Sequence, residues 1–357
     1  MRILHILNNV TNRGNGIVNA TVDIAIEQAR QGHTVAIASA GGEYEDLLRS
    51  SHVAYIQLNQ SRTLANLPYA FLRFPRVVRG FSPDVVHAHM RTGLLLATAW
   101  RRLLGFALVS HVHNVHERES KLMGLAQRVI VVSDSVGETM QSYGIPRAKI
   151  RVVLNRILGT PRLVPLLAAE PAKLRHPAIV TICGLYARKG VAELITAFSA
   201  MAGEFPAAHL YIVGDGPGAA AFHAQAAATA YAARIHFEGF QSNAQKYLRA
   251  ADVFVLASRR ESFALVLIEA RHAGCAIIAT AADGNPQALD DGRAGMLVPT
   301  ENPAALADAM RAMLADDTVR RAWGRRAQEG VEAFTIPRMV AELQAVYDEL
   351  RSGDISQ

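Results

Sequence analysis

The stretch Ala251-Asp-Val-Phe-Val-Leu-Ala-Ser-Arg-Arg-Glu-Ser-Phe-Ala-Leu-Val-Leu-Ile-Glu-Ala-Arg-His-Ala-Gly274 decides the fold. Its opening, Val253–Ala257, is a short apolar run with β-branched residues, the mark of a buried strand. Glu261 and Ser262 then offer a helix start, helix formers follow, and Gly274 is a suitable cap at the far end. Strand, loop and helix N-terminus in that order form the unit from which parallel sheets with crossover helices are built. The free amides of Phe263, Ala264, Leu265 and Val266 would point out of the helix with the positive end of its dipole, which holds phosphate without specialised side chains. Glu261 and Glu269 flank those amides, about 80° apart if the whole segment is helical. Beside a diphosphate, each carboxylate suits the neutral hydroxyls of a sugar better than the phosphates themselves. An ordinary capped helix with two solvated glutamates fits this stretch equally well.

The same alternation of short apolar runs and amphipathic stretches occurs twice along the chain. The expected strands of the first half are Arg2–Leu7, Thr34–Ser39, Val53–Leu58, Asp84–His89, Ala107–His113, Arg128–Ser133 and Lys149–Leu154. Those of the second are Ala178–Cys183, His209–Val213, Arg234–Glu238, Val253–Ala257, Ala276–Thr280 and Gly295–Val298. Between them Pro161, Pro165, Pro171 and Pro177 punctuate a segment without sustained period, which reads as an interdomain linker. Two α/β domains result, 1–160 and 161–335, each a doubly wound parallel sheet, with the final helix, about 336–357, expected to return to the first. Domains of this kind bind ligands at the carboxyl ends of their strands, so a pair joined by one linker is expected to face across a cleft.

Composition narrows the function classes. A chain of 357 residues that is 50% hydrophobic and 19% charged can bury a large core, which excludes a small module or a disordered tract. The apolar run Ile3–Leu7 is too short for a signal peptide, no run approaches a membrane span, and Cys183 and Cys275 sit apart in apolar surroundings. A reducing cytoplasm is the expected compartment. Residues 1–165 carry 19 Lys+Arg against 10 Asp+Glu, and the remainder 18 against 21. Within the basic half, Arg62, Arg73, Arg76, Arg79, Arg91, Arg101 and Arg102 interleave with Tyr69, Phe71, Phe74, Phe81 and Trp100. Such a face fits either a solvated helix or an anionic membrane surface. No nucleic-acid-binding motif accompanies the charge, so nucleic acid is not an expected partner.

Gly14 and Gly16 follow the first strand and precede a helical pattern, where a dinucleotide fold places its phosphate loop. The third fingerprint glycine is missing, Asn19 standing in its place, which argues against a nicotinamide dehydrogenase. His87, His89, His111, His113 and His116 raise the question of a zinc site, but they lack an accompanying cysteine or a helical histidine pair, and no metal is expected. His111 and His113 share one face of their strand. Lys189 follows a strand, as a mobile point charge for a phosphate would, although a Lys-Gly pair is more often an ordinary surface helix start.

In combination, the two glutamates with seven residues between them, Ser258 upstream and Ala270–Gly274 behind them resemble the signature of the retaining nucleotide-sugar glycosyltransferases of the GT-B fold, glycosyltransferase family 4. Arg188-Lys189-Gly190, Val213-Gly-Asp-Gly-Pro217, Phe237-Glu-Gly239, Ala251–Leu256 and Gly295–Val298 follow in the family's order. Asn12–Gly16, Asp84–His89 and His111–His113 match more loosely. The resemblance implies a GT-B architecture of two Rossmann-like domains, the first for the acceptor and the second for the nucleotide sugar. It implies that Glu261 and His113 hold hydroxyls of the transferred sugar, that Lys189 stabilises the departing diphosphate, and that Glu269 holds the ribose. Gly16, Arg188, Gly214, Ser258, Phe263, Ala264, Leu265 and Val266 would complete the donor site, with Gly14 and His111 toward the acceptor. Two departures stand out: Gly184 where the family commonly has an arginine, and Gln287 where it often has a glutamate.

The implied function is metal-independent, retaining transfer of a hexosyl unit, with the nucleotide-diphosphate sugar as co-substrate and no cofactor. The basic, aromatic first half suggests a lipid-linked glycan acceptor and a peripheral site on the inner face of the cytoplasmic membrane. A non-catalytic nucleotide-sugar-binding protein of the same fold is the alternative.

Overall fold

The structure, a computed structural model, describes all residues except 13–14, 62, 64–65, 116–117, 163–165 and 353–357, and gives the backbone alone for Arg118 and Leu167. Gly14, Arg62 and His116 therefore lie outside the described residues. The chain forms two units, Met1–Arg162 with Phe334–Gln357, and Leu163–Ala333.

The first unit contains β1 (Arg2–Ile6), β2 (Thr34–Ser39), β3 (Ala54–Gln57), β4 (Val85–Ala88), β5 (Ala107–Val112), β6 (Arg128–Val131) and β7 (Ile150–Val152). They pair in parallel in the order β3-β2-β1-β4-β5-β6-β7. The second unit holds β8 (Ala178–Ile182), β9 (His209–Val213), β10 (Ile235–Gly239), β11 (Val253–Leu256), β12 (Ala276–Thr280) and β13 (Met296–Val298), also parallel, in the order β10-β9-β8-β11-β12-β13. The central strands are buried on both faces, which is why they appear in sequence as continuous apolar runs rather than alternating ones. Both sheets are doubly wound, as expected.

The first unit is closed by the end of the chain. Ile336, Met339, Leu343 and Tyr347 of the helix Ile336–Arg351 pack on Ile3, Val85, Val109 and Ile130. The chain leaves this unit and returns to it side by side, Leu158 bridging Thr335. Three ion-pair groups hold the crossing. Arg162 takes both oxygens of Asp23 at 2.8 Å, Arg156 takes both of Glu342 at 2.7 and 2.8 Å, and Glu349 joins Arg128 and Arg151. Arg162 and Asp23 are almost wholly buried, so removing either partner would strand a charge at a cost of about 3–5 kcal/mol. Among the described residues, no helix is long and apolar enough to cross a membrane.

Candidate active site

In a doubly wound sheet the loops after the two central strands run to opposite faces and open a crevice at the switch of strand order. That point lies between β8 and β11 in the second unit and between β1 and β4 in the first. Lys189, Ser258 and Glu261 lie in the loops after β8 and β11 and Gly16 lies after β1, whereas Gly214 follows β9 and His111 and His113 stand at the end of β5.

In the second unit, β8 runs into a loop ending in the turn Ala187–Lys189, and β11 runs into Ala257–Ala264. The Arg259 amide donates to the Arg188 carbonyl at 2.8 Å and ties the loops together. Their approach requires Gly190, whose φ is +66° and where a Cβ would stand 1.9 Å from the Ala257 carbonyl oxygen. Lys189 Nζ is thereby brought onto Glu261 Oε2 as a largely buried ion pair, and Ser258 Oγ donates to the same carboxylate oxygen at 3.4 Å. Asp283 fixes the backbone that carries Glu261, accepting from its amide at 2.8 Å while Arg260 neutralises it at 2.9 Å. The Glu261 carbonyl accepts from the Gly284 amide.

These loop-to-loop bonds change the expected helix start. The helix begins at Leu265 with an extended Ala264 before it and no side-chain cap, so Glu261 and Ser262 belong to the loop rather than the first turn. The backbone of 259–261 bonds the loops beside it and is not free to curl. Phe263 then precedes the helix, and the amides at its terminus are those of Ala264, Leu265 and Val266. The angle of about 80° reckoned for a wholly helical segment does not apply. Glu269 lies in the second turn, where Gln245 donates to it at 3.5 Å. Gly214 follows β9 with φ +136°, and a Cβ there would meet the Cys183 carbonyl oxygen at 2.0 Å. Burial pushes the Cys183 thiol up to about 11, which leaves it protonated and unsuited to act as a nucleophile.

The departure at Gly184 has a local physical counterpart. A Cβ at 184 would fall 2.8 Å from the Tyr186 ring, and the Arg188 guanidinium lies on that same ring, 5.2 Å from its centroid. The Tyr186 ring occupies the space a larger residue at 184 would enter.

In the first unit, His5 of β1, His87 of β4 and His111 of β5 share one face of the sheet, with His89 and His113 just beyond the ends of β4 and β5. All five are buried. His5 Nε2 meets Gln28 Oε1 at 2.7 Å, His5 Nδ1 meets His89 Nε2 at 2.9 Å, and His89 Nδ1 meets His113 Nε2 at 3.1 Å. Tyr347 OH bonds His87 Nδ1 at 2.7 Å and accepts from Gln28 Nε2 at 3.2 Å. Burial lowers His5 to about 4 and His113 to about 3, and it also holds His87, His89 and His111 well below 6.5. Two triplets, His5-His87-His89 and His89-His111-His113, have ring nitrogens within 4.8 Å of one another. Within these triplets the ring planes are inclined by 21–38°, and His5 Nδ1 with His89 Nε2, and His89 Nδ1 with His113 Nε2, already face each other at hydrogen-bond distance. That geometry serves hydrogen bonds within the row better than shared coordination.

His113 and His111 open onto a cavity of about 200 Å³ that also touches Asn8, Ile17, Arg91 and Asn114. Gly16 starts the helix Gly16–Arg30, which Asn15 caps by accepting from the Ile17 amide, and among the described residues outside that helix nothing stands within 4 Å of where a Cβ on Gly16 would be. His5, Gln28 and Tyr347 were not singled out by sequence. Their signal becomes visible only once β1 is placed beside β4, in register His5 with His87.

The basic, aromatic region of this unit divides. Phe74 and Phe81 are buried in the core, which removes them from the expected surface, because the helix Asn66–Phe81 turns that side inward. Tyr69, Phe71, Leu72, Leu95 and Leu103 remain exposed, beside exposed Arg76, Arg79 and Arg102. Between the helices Asn66–Phe81 and Arg91–Leu104 lies a largely apolar cavity of about 490 Å³ lined by Leu67, Phe71, Leu95, Leu96, Leu122 and Glu119, which pairs at 2.9 Å with Arg91; Arg91 and Thr92 are shared with the histidine cavity.

Comparison with known proteins agrees with this fold. A family model described as Glycosyl transferases group 1 matches residues 168–330, and one described as Glycosyltransferase Family 4 matches residues 14–157. A lipopolysaccharide core biosynthesis glycosyltransferase of Rhizobium meliloti, LpsE, is 27% identical over 322 residues, spanning 88% of this chain and 87% of its own. A phosphatidyl-myo-inositol mannosyltransferase of Mycolicibacterium smegmatis is 33% identical over 196 residues, 54% of this chain and 49% of its own. Anabaena HepE, solved in complex with UDP and glucose, has the same fold, with a TM-score of 0.81 at 19% identity over 99% of this chain and 100% of its own.

Proposed function

Since this chain belongs to the family 4, group 1 glycosyltransferases, we propose that it moves a hexosyl unit from a nucleotide-diphosphate sugar to an acceptor hydroxyl with retention at the anomeric carbon. The observation that carries the reading is the meeting of Lys189, Ser258 and Glu261 at the switch point of the second sheet, beside the start of the helix Leu265–Ala273. The diphosphate of the donor competes with Glu261 for Lys189, and the amides of Ala264, Leu265 and Val266 point at the same anion. Displaced from Lys189, the Glu261 carboxylate accepts from hydroxyls of the transferred sugar, with Ser258 and Phe263 shaping the wall behind it. Glu269 takes the ribose. Arg188, stacked on Tyr186, supplies the second positive charge that an arginine at 184 would otherwise bring. Gly214 and Gly16 let backbone approach the ligand, and His113 holds a sugar hydroxyl near the reacting carbon.

The chemistry that follows is charge stabilisation. As the glycosidic bond breaks, negative charge grows on the diphosphate, where Lys189, Arg188 and the helix-terminal amides await it. The acceptor hydroxyl attacks from the face that the diphosphate leaves, and a phosphate oxygen takes its proton, so no protein nucleophile is required. These cations make a divalent metal or further cofactor unnecessary.

For the acceptor we infer a lipid-linked glycan of envelope or exopolysaccharide assembly, met at the cytoplasmic face of the membrane. The apolar cavity beside Arg91, the exposed leucines and aromatics and the three exposed arginines suit a hydrocarbon chain with an anionic head, and the Rhizobium relative is named for lipopolysaccharide core biosynthesis. His111 and Gly14 lie on the acceptor's side of this reading. The test is a thermal-shift panel of UDP, GDP, ADP and their sugars, followed by NMR of the anomeric configuration of the product. Stabilisation by no nucleotide, or an inverted product, refutes it.

A further inference from the structure

Each link in the buried histidine row is a single hydrogen bond, and a neutral imidazole carries a single N–H. One fixed acceptor therefore dictates every ring after it. The acceptor that starts the row is Gln28 Oε1, the amide being oriented with Oε1 on His5 Nε2 and Nε2 on Tyr347 OH, whose own proton then goes to His87 Nδ1. An amide oxygen only accepts, so the His5 proton sits on Nε2 and its Nδ1 is bare. That Nδ1 accepts from His89 Nε2, which leaves His89 Nδ1 bare, and this in turn accepts from His113 Nε2. The chain ends at His113 Nδ1, which is buried, has no hydrogen-bond partner among the described residues and belongs to a side chain lining the cavity.

We propose that Gln28 is a positioning residue that sets the tautomer of His113 through His5 and His89, so that His113 presents a lone pair, and not an N–H, to the ligand in the cavity. The group it meets must then be a donor. A sugar hydroxyl fits, whereas a phosphate or carbonyl oxygen would set lone pair against lone pair, and the row thereby selects hydroxyls at this point and turns the diphosphate away. Tyr347 contributes from the opposite end of the chain by holding the Gln28 amide in its orientation. The selection of a sugar rests on the function proposed above; the tautomer does not.

The two separate in one set of measurements. In the full-length, ligand-free protein labelled with ¹⁵N-histidine, long-range proton–nitrogen correlation distinguishes Nδ1–H from Nε2–H rings, and His5→Gln, His89→Gln and His113→Gln variants identify the signals. The expected result is Nε2–H at all three. In Gln28→Met the acceptor is gone, and His113 should become a mixture of tautomers while turnover falls about threefold to tenfold and nucleotide affinity holds. A wild-type His113 protonated at Nδ1, as the reversed Gln28 amide would impose, overturns the proposal. So does an Nε2–H ring that persists unmixed in folded Gln28→Met. The wild-type spectrum stands alone if that variant does not fold. Expected tautomers together with unchanged transfer by His113→Gln would uphold the relay and remove His113 from the reaction.

Discussion

Lowering the pH from 7.5 to 6.0 should strip the first unit of much of its stability. Its five buried histidines are held neutral, His5 at about 4, His113 at about 3 and the other three well below 6.5, all chiefly by burial. In the unfolded chain each ring titrates near 6.5. The unfolded state thus binds more protons, and stability that is complete above 6.5 is lost as pH falls through that value. It continues to fall until the folded rings themselves take protons, His5 near 4 and His113 near 3. At pH 6.5 each unfolded ring is half protonated, so five rings give a slope of about 3 kcal/mol per pH unit. From pH 7.5 to 6.0 the loss is roughly 4 kcal/mol, a large part of the ~5–15 kcal/mol typical of a domain. The assay is urea unfolding followed by tryptophan fluorescence. Of the two tryptophans, Trp100 lies in the first unit and Trp323 in the second, so Trp323→Phe leaves a reporter of the first alone. His5→Gln should reduce the slope by about a fifth. A change below about 1 kcal/mol over this range would refute the claim that the row is buried and neutral.

Further outcomes concern the site. Glu269→Ala should lower nucleotide affinity about threefold to tenfold by calorimetry, while Glu261→Ala chiefly lowers turnover; unchanged affinity in the first removes Glu269 from the ribose. Arg188→Ala should weaken a nucleoside diphosphate about tenfold or more and leave the bare nucleoside unaffected, and equal effects on both would exclude a phosphate contact. Transfer should survive EDTA; loss on chelation with recovery on adding magnesium or manganese would show that the basic residues do not suffice. Flotation with anionic liposomes should succeed at low salt, weaken over a Debye length of ~8 Å at physiological ionic strength, and fail for Arg76→Glu with Arg79→Glu and Arg102→Glu. Absence of binding at low salt sinks the membrane reading.

The sheets were legible because parallel strands buried on both faces are written as uninterrupted apolar runs, and every expected strand is present to within a residue or two at its ends. Helix starts were less so. Around Glu261 the local preference for a capped helix yields to bonds from Asp283 and Gly284, residues more than twenty positions away that no local pattern connects. The inward turn of Phe74 and Phe81 depends on which side of a helix meets the sheet, which aromatic content does not reveal. Of the histidine row, β4 and β5 advertised their members in pairs, but His5 is solitary in sequence. Gln28 and Tyr347 lie 319 positions apart and meet only because the last helix lies beside the first.

That crossing also orders events on the ribosome. The first unit is interrupted by the whole of the second, and Met339, Leu343 and Tyr347 close its core. Synthesis delivers the seven strands of the amino-terminal sheet long before the helix that covers one of its faces. During that interval Ile3, Val85, Val109 and Ile130 lack their cover, His87 lacks Tyr347, and Arg156 lacks Glu342. The contiguous second unit can complete its core first, so the part of the molecule made earliest is the part finished last, and its waiting sheet is the place where a nascent chain is most exposed to aggregation and to chaperones.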